Sequence, residues 1–348
     1  MNDPDVTLLG WSDTFADQIT PEEAGLVPLR LSEVRRNRVM ALTPALDVVE
    51  MALSGDMVAT DLAVGDFALG DMDAGRLARV LERRSVIRRR AAGATAAAQL
   101  IAANIDTLFI TTSCNADFNE ARLERYVALA IEAETTPVVI LTKADKALGT
   151  PAEYLARAEA ISPRVEAIAI NAKDLDDIAR LEHWCGTGQT IALVGSSGVG
   201  KSTIGKRLSG ADLATGDIRE DDAKGRHTTT ARSMHRMHAG GWLIDTPGMR
   251  ELALVDTAAG IATLFEDITD LETDCKFSDC KHQTEPGCAV QAAVRAGRLN
   301  AERLERWRKL KAEDAANSET IAETRQRGRK FSKTYKSAMK AKRGKRGE

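Results

Sequence analysis

The stretch "GSSGVGKST", residues 195–203, decides the fold of this chain because it carries the pattern of a phosphate-binding loop. The pattern G-x4-G-K-[ST] is met at Gly195, Gly200, Lys201 and Ser202, between an apolar run and a segment able to begin a helix. Glycines let backbone N–H groups surround phosphates, and the following helix N-terminus adds partial positive charge. In such loops the lysine neutralises the β- and γ-phosphates, and the hydroxyl after it coordinates Mg²⁺. The candidate phosphate-binding residues are Gly195, Ser196, Ser197, Gly198, Val199, Gly200, Lys201, Ser202 and Thr203.

Two stretches downstream predict the rest of a site for Mg²⁺ and a triphosphate. In "WLIDTPG", 242–248, Asp245 ends an apolar strand, so we expect its carboxylate to hold Mg²⁺ through water and the N–H of Gly248 to meet the γ-phosphate. The polar stretch "GRHTTTARS", 225–233, has three threonines, whose hydroxyls can complete the Mg²⁺ shell only when the γ-phosphate is present. It is therefore a candidate switch loop, and a plain polar connector is the alternative.

The residues that would recognise the base lie upstream of the phosphate loop, in "LTKAD", 141–145. At a strand end, the carboxylate of Asp145 can accept hydrogen bonds from both N1–H and the N2 amino group of guanine, a donor pair that adenine lacks. The aliphatic stem of Lys143 would cover the face of the base. Ala144 separates these two residues, and Thr142 stands where such motifs usually have Asn.

A second base-reading element is "NAKD", 171–174, in which Asn171 precedes a backbone N–H, of Ala172 or Lys173, that would donate to the guanine oxygen. Both base-reading elements thus precede the phosphate loop, whereas the usual order is the reverse. Strands rich in Val and Ile alternate with helical segments in this part of the chain, which predicts a parallel sheet between helices. Ligand loops of such a sheet meet at the carboxyl ends of the strands whatever their order along the chain. The sequence therefore predicts a circularly permuted P-loop GTPase domain.

A cluster of metal-binding residue types follows in "CKFSDCKHQTEPGC", 275–288. Its spacing is Cys275-x4-Cys280-x-His282-x5-Cys288. Three thiolates and one imidazole form a closed tetrahedral shell, which is typical of one structural Zn²⁺. Because so short a segment has little core of its own, metal binding would supply much of its folding energy. Free cysteines beside a surface histidine are the alternative.

The regions outside the nucleotide motifs predict two flanking units. Residues 35–86 alternate short apolar runs with turn signals, which is compatible with a small β-barrel, and the basic stretch 83–90 leads into an alanine-rich joint. At the other end, 325–348 carry eleven Lys or Arg against one acid, within a chain of net charge −3. Such a tail favours a polyanionic partner, nucleic acid first, or else merely solubilises the chain.

The location and the remaining cysteines are the last inferences from composition. No apolar run approaches the ~18 residues of a membrane span, and the N-terminus lacks the features of a signal peptide. We therefore expect a cytoplasmic protein without a membrane partner. In that compartment the isolated Cys114 and Cys185 are expected to be buried thiols.

Taken in order, these motifs resemble the RsgA-type GTPases that depend on the small ribosomal subunit. The resemblance extends from the β-rich N-terminal part to the basic C-terminus, and "EPGCAVQAAV" and "NADFNEARLERY" strengthen it. It implies an N-terminal domain with an OB-fold (1–95), the permuted GTPase domain (96–256) and a zinc-binding helical C-terminal domain with a basic tail (257–348). It also implies binding of GTP and GDP, and GTP hydrolysis stimulated by the small ribosomal subunit and its rRNA during late maturation. We expect a monomer, since nothing in the sequence demands a dimer.

The resemblance also suggests roles within the switch stretch. It favours Thr229 as the residue that contacts Mg²⁺ beside Ser202 and Asp245, and His227 as the residue that positions the attacking water. Met249 stands where many GTPases carry a catalytic Gln, and a thioether cannot orient water. Two other functions stay open at this point: a P-loop phosphotransferase that uses ATP, and a non-enzymatic RNA-binding module built on zinc and an OB-fold.

Overall fold

The computed structural model describes residues 5–55, 57–90, 98–211, 232–245 and 256–318. Along the chain a closed barrel comes first, then a six-stranded sheet covered by helices, then a helical C-terminal part. Within those ranges, no helix combines the length and the apolar character that crossing a membrane requires.

The barrel forms because every second residue along a strand faces the same side, and the residues that face inward are apolar. Leu29 and Leu31 on the first strand, and Val39 and Ala41 on the second, are fully buried in a core that all the strands share. A short helix, α1 (Asp13–Ala16), precedes the barrel. The closed strand order is β1-β2-β3-β5-β4, and this five-stranded barrel confirms the predicted N-terminal β-barrel. The strands are β1 (Val27–Val34), β2 (Arg38–Leu42), β3 (Val48–Ala52), β4 (Phe67–Asp71) and β5 (Arg76–Val80).

Two further strands link the barrel to the sheet. They are β6 (Val86–Arg90) and β7 (Ala98–Ala103), which pair in antiparallel fashion. The predicted alanine-rich joint is therefore flanked by strands that are hydrogen-bonded to each other. The domain boundary between residues 95 and 96 falls between these two strands, and it stays a prediction.

The central sheet has the order β10-β9-β8-β11-β13-β12. Its first five strands run parallel, and β12 pairs antiparallel with β13 at the edge, an arrangement that sequence patterning did not predict. If numbering began at the strand before the phosphate loop, the order would be 6-5-4-1-3-2, with that strand central. The predicted rotation of chain order is thus built into the sheet. The strands are β8 (Thr107–Ser113), β9 (Thr136–Thr142), β10 (Glu166–Ala169), β11 (Thr190–Val194), β12 (Ser233–Arg236) and β13 (Trp242–Asp245).

Helices cover both faces of this sheet and start at capping residues. Asn119 accepts a hydrogen bond from the backbone of α2, and Thr150 forms a capping box with Glu153 at the start of α3. Val127 of α2 packs into one apolar cluster, and Ile204 of α5 packs into the other. The helices are α2 (Glu120–Glu132), α3 (Pro151–Glu159), α4 (Leu175–Ala179), α5 (Lys201–Ser209), α6 (Ala258–Leu264), α7 (Glu266–Glu272), α8 (Ala289–Arg295) and α9 (301–318).

The C-terminal helices dock on α2 through buried charges. Glu124 is fully buried and accepts a hydrogen bond from Arg306 of α9 at 2.8 Å, while Arg303 lies 3.6 Å from its other oxygen. Asp314 accepts hydrogen bonds from both the N–H and the hydroxyl of Thr257. The contacts with Glu124 thus fix α9 against α2, and the contact between Asp314 and Thr257 joins α9 to the start of α6.

Candidate functional site

The phosphate loop follows β11 and needs glycine for two physical reasons. Gly195, Gly198 and Gly200 have φ of +135°, +73° and +102°, which only glycine adopts without strain. In addition, a Cβ on Gly195 would lie 2.0 Å from the carbonyl oxygen of Thr111 in the neighbouring strand β8. The loop therefore passes so close to β8 that even alanine would not fit at residue 195.

The loop leads straight into α5, which positions the predicted phosphate ligands. Lys201 is the first residue of α5, and its Nζ donates to the carbonyl oxygen of Gly195 at 2.7 Å and to that of Ser196. Ser202 and Thr203 follow in the first turn, where backbone N–H groups have no partner within the helix. A cation, a hydroxyl and the helix N-terminus are thus gathered at one place, as a triphosphate with Mg²⁺ requires.

Thr142, in the predicted base-reading stretch 141–145, contacts the phosphate loop. It is the last residue of β9 and is buried, and its Oγ1 lies 2.6 Å from the carbonyl oxygen of Val199 and 3.0 Å from that of Thr112. A hydroxyl has one proton, so it donates to the nearer oxygen, that of Val199. Its methyl group also lies 3.6 Å from where a Cβ of Gly200 would be. The hydroxyl of Thr142 is thus engaged by the loop backbone, a contact that sequence reasoning missed.

The two base-reading loops lie next to each other because β9 and β10 are neighbours. Lys143 takes the left-handed conformation with φ +57°, and the N–H of Ala144 donates to the carbonyl oxygen of Ile170 at 3.2 Å. Asp145 follows in a single helical turn and is exposed to solvent. These contacts leave the Asp145 carboxylate at the surface beside the second loop.

The second loop is held by its own polar groups. The backbone N–H of Asn171 donates a hydrogen bond to the carboxylate of Asp177 at 2.7 Å. The side-chain oxygen of Asn171 accepts a hydrogen bond from the N–H of Lys173 at 3.1 Å. Ala172, between them, is buried. Of the two backbone donors predicted for the guanine oxygen, that of Lys173 is therefore engaged within the loop.

Asp245 stands on the other side of the phosphate loop. It is the last residue of β13, which runs parallel to β11, and it pairs with Ser233 of β12. Its carboxylate and the hydroxyl of Ser202 are oxygen ligands of the kind Mg²⁺ prefers. The predicted His227, Thr229, Gly248 and Met249 lie outside the described residues.

Together, these loops occupy one edge of the sheet. The base-reading loops follow β9 and β10, the phosphate loop follows β11, and Asp245 ends β13. Strand β9 is two strands away from β11, or about 10 Å at the usual spacing. The edge can therefore hold a base at one end and a metal-bound phosphate chain in the middle, in the way open α/β sheets bind their ligands.

The cysteine cluster forms a compact donor set. The ligand atoms of Cys275, Cys280, His282 and Cys288 all lie within 4.8 Å of one another. Sγ of Cys275 is 3.9 Å from Sγ of Cys288, and both sulfurs are 3.5 Å from Nδ1 of His282. A tetrahedron with Zn–S of about 2.3 Å needs sulfur–sulfur distances of about 3.8 Å. The geometry fits Zn²⁺ with three thiolates and one imidazole.

The surroundings of the cluster support metal binding. Nε2 of His282 is 3.0 Å from the carboxylate of Glu272, which leaves Nδ1 to face the sulfurs. Lys311 of α9 also contacts Glu272, at 3.1 Å. Burial opposes a charge on Cys275, but hydrogen bonds from the backbone lower the pKa of this thiol below its usual value. Sequence reasoning missed Glu272, although an acid three residues before the first ligand is a usable signal.

The other two cysteines lie apart from this cluster. Cys114 and Cys185 are fully buried, as expected, and burial raises the pKa of Cys114 to about 11 and that of Cys185 to about 12. Because the thiolate is the reactive form, these residues are unreactive at neutral pH.

Comparison with known proteins places this geometry in context. The family model described as RsgA GTPase matches residues 80–255. A protein of Mesorhizobium japonicum named "Small ribosomal subunit biogenesis GTPase RsgA" is 48% identical over 319 residues, which cover 90% of this chain and 91% of that protein. "Small ribosomal subunit biogenesis GTPase RsgA 2" of Vibrio parahaemolyticus is 44% identical over 96% of this chain and 93% of its own.

Two solved structures share the fold. YjeQ from Thermotoga maritima has a TM-score of 0.61 at 21% identity, over 82% of this chain and 97% of that one. YloQ, described as a circularly permuted GTPase, has a TM-score of 0.61 at 21% identity, over 86% of this chain and 99% of its own. The predicted permuted fold is thereby confirmed.

Proposed function

The chain belongs to the RsgA GTPase family, and on that premise we propose that it hydrolyses GTP during biogenesis of the small ribosomal subunit, whose binding stimulates the reaction. The observation that carries the proposal is the sheet edge, where two base-reading loops, a phosphate loop and Asp245 meet despite their rotated order. The Asp145 carboxylate, which suits guanine, disfavours a phosphotransferase that uses ATP, and the description of the family as a GTPase disfavours a non-enzymatic module.

Guanine selection rests on Asp145 and the second base-reading loop. The exposed Asp145 carboxylate can accept both donors of the guanine edge, and the stem of Lys143 covers the ring. The N–H of Lys173 is bound to Asn171, so we assign the contact with the guanine oxygen to the N–H of Ala172. Thr142 contributes by holding the phosphate loop through Val199.

Phosphate binding rests on the loop and α5. The N–H groups of residues 195–203 surround the phosphates, and Lys201 exchanges its loop carbonyls for the β- and γ-phosphates. Ser202, Asp245 and Thr229 would hold Mg²⁺, directly or through water, and Gly248 would donate its N–H to the γ-phosphate. Mg²⁺ would neutralise charge that develops on the phosphate oxygens.

Hydrolysis then depends on the position of one water. We assign this to His227, since Met249 has no group that could orient water. A single histidine on a polar loop is a weak catalyst without a partner, so intrinsic turnover is expected to be slow. Binding to the subunit would fix the loop and raise the rate.

RNA binding is assigned to the barrel and to the strands that follow it. OB-folds commonly bind single-stranded RNA. Within the basic stretch, Arg83 is paired with the buried Asp66 and Arg84 with Asp106, so these two serve the fold. Arg88 is exposed and stays available for phosphate groups. The Zn²⁺ site would stabilise the C-terminal part as a structural centre.

We also propose the domain bounds, the oligomeric state and the location that the sequence predicts. The domains are 1–95, 96–256 and 257–348, the chain acts as a monomer, and it works in the cytoplasm, where its partner subunit matures. The basic tail would add contacts to rRNA.

The decisive experiment is GTP turnover with and without purified small ribosomal subunits across a salt series. We expect slow intrinsic turnover, stimulation by the subunit, and a steep loss of stimulation with salt, because phosphate contacts dominate RNA affinity. Lys201→Ala should abolish turnover in both conditions while leaving zinc content unchanged. Equal turnover with and without subunits would refute the partner assignment.

A further inference from the structure

Arg30 of β1 is buried where the barrel meets the amino edge of the central sheet, and 1% of it is exposed. Its guanidinium donates to the carbonyl oxygen of Leu9, to that of Asn104 at 3.1 Å and to Oγ1 of Thr190 at 2.7 Å. It also lies over the ring of Phe67, 4.8 Å from the centroid. One barrel side chain therefore joins the N-terminal segment, the barrel and the sheet.

A buried cation at this junction is physically expensive. Burial lowers the pKa of Arg30 to about 9, and the carboxylate of Asp106 partly offsets this. All three hydrogen-bond acceptors are neutral groups, so Arg30 forms no hydrogen-bonded ion pair that would offset its loss of hydration. What an apolar residue could not provide is the rigid planar fork that fixes three segments at once.

The partners of this junction stand at the start of two functional strands. Thr190 is the first residue of β11, whose far end leads into Gly195. Trp242 is the first residue of β13, whose far end is Asp245, and its Nε1 donates to the carbonyl oxygen of Leu8 at 2.8 Å. At about 3.3 Å per residue, β11 spans about 13 Å between its first and last Cα atoms. The barrel, through Arg30, and the N-terminal segment, through Leu8, thus contact the amino ends of the two strands whose carboxyl ends lead to the phosphate loop and to Asp245.

We infer that Arg30 is a positioning residue that couples the barrel to the GTP site, through Thr190 and β11. Binding of RNA to the barrel would then fix the phosphate loop in the geometry that favours hydrolysis, and this inference rests on the proposed function. Asp106 completes the link, because it accepts the backbone N–H of Thr190 at 2.8 Å and pairs with Arg84 at 3.0 Å. The barrel is accordingly a component of the catalytic response as well as an RNA-binding module.

The test is Thr190→Val, which removes the acceptor of the Arg30 hydrogen bond and keeps a β-branched side chain in the strand. Loss of one hydrogen bond to a charged group corresponds to a factor of about ten or more. We expect turnover stimulated by saturating subunits to fall by about tenfold, with intrinsic turnover and subunit affinity within about twofold. Thr107→Val is the matched control, because Thr107 starts the neighbouring strand β8 and is buried, and among the described residues Arg30 donates its hydrogen bonds to Leu9, Asn104 and Thr190 instead.

A second variant separates coupling from folding. In an Arg30→Met background the hydrogen bond is already gone, so Thr190→Val should cause no further loss of stimulation. The inference would be overturned if Thr190→Val lowered intrinsic and stimulated turnover equally, or if subunits stimulated this variant fully. In either case, stimulation of the parent protein by subunits would still support the proposed function. An unstimulated parent would instead overturn the proposed function, and the inference with it.

Discussion

Replacing Thr142 with valine should weaken binding of GTP and GDP by the same factor and leave the preference for guanine over adenine unchanged. Valine matches the shape of threonine but cannot donate a hydrogen bond. The Thr142 hydroxyl lies 2.6 Å from the carbonyl oxygen of Val199 in the phosphate loop, so its loss acts on the loop and not on the base. The effect should therefore appear with every nucleotide that uses the loop.

The size of this effect follows from burial. Thr142 and Val199 are each 1% exposed, so the substitution leaves a carbonyl acceptor without its donor in a dry place. Such a loss costs about 1–3 kcal/mol, which corresponds to about 5- to 150-fold in affinity. Gly198, next to Val199, is exposed, so the loop can shift and hydrate the carbonyl in part. We therefore expect a loss of about tenfold, near the lower end of that range.

Equilibrium titration with fluorescent GTP and GDP, followed by displacement with ATP, measures both quantities. Thr112→Val is the matched control, because the Thr112 hydroxyl is buried on the neighbouring strand and has no hydrogen-bond partner among the described residues. That variant should bind within about twofold of the parent. A changed ratio of GTP to ATP affinity in Thr142→Val would show that Thr142 reads the base, and unchanged affinities would show that its bond does not position the loop.

Three further changes test other parts of the molecule. Asp145→Asn should lower GTP affinity by about 100-fold or more, through the loss of two charge-assisted hydrogen bonds. It should raise affinity for xanthosine triphosphate, whose C2 oxygen can accept a hydrogen bond from the new amide. Competition between the two nucleotides measures both affinities, and an equal loss for both would contradict the base-reading role. Glu272→Gln should lower zinc affinity about tenfold because the carboxylate orients His282; a chelator titration that matches the parent would disprove this. Glu124→Gln should reduce the free energy of unfolding by about 2–3 kcal/mol, which is below the usual range for a broken buried ion pair because Arg306 is partly exposed. If the variant unfolds at the same denaturant concentration as the parent, the pair does not stabilise the protein.

Sequence patterning could propose the candidate site because its motifs carry local physical requirements. A phosphate loop needs its glycines and lysine in a fixed order, so Gly195 and Lys201 were identifiable without any tertiary information. The candidate metal ligands are equally local, since all four fall within 275–288. The rotated order of the motifs was enough to predict the permuted sheet.

Contacts between distant residues were beyond the reach of sequence patterning. The bond between Thr142 and Val199 joins residues 57 positions apart, and only the packed sheet brings them together. Arg30 has the residue type of a surface position, yet it is buried because the N-terminal segment and the central sheet meet the barrel at this side chain. Strand β12, only four residues long, owes its pairing to the neighbouring β13 and lacks a clear pattern of its own.

The close approach of Gly195 to the carbonyl of Thr111 bears on how the loop would change over evolutionary time. Because backbone packing alone excludes any side chain at residue 195, a descendant that lost its nucleotide would still need glycine there in order to fold. Lys201 carries no such constraint and would be free to drift once phosphate binding was no longer selected. Among relatives, some of which have lost nucleotide binding, the lysine, and not the first glycine, therefore distinguishes an active enzyme from an inactive protein with the same fold.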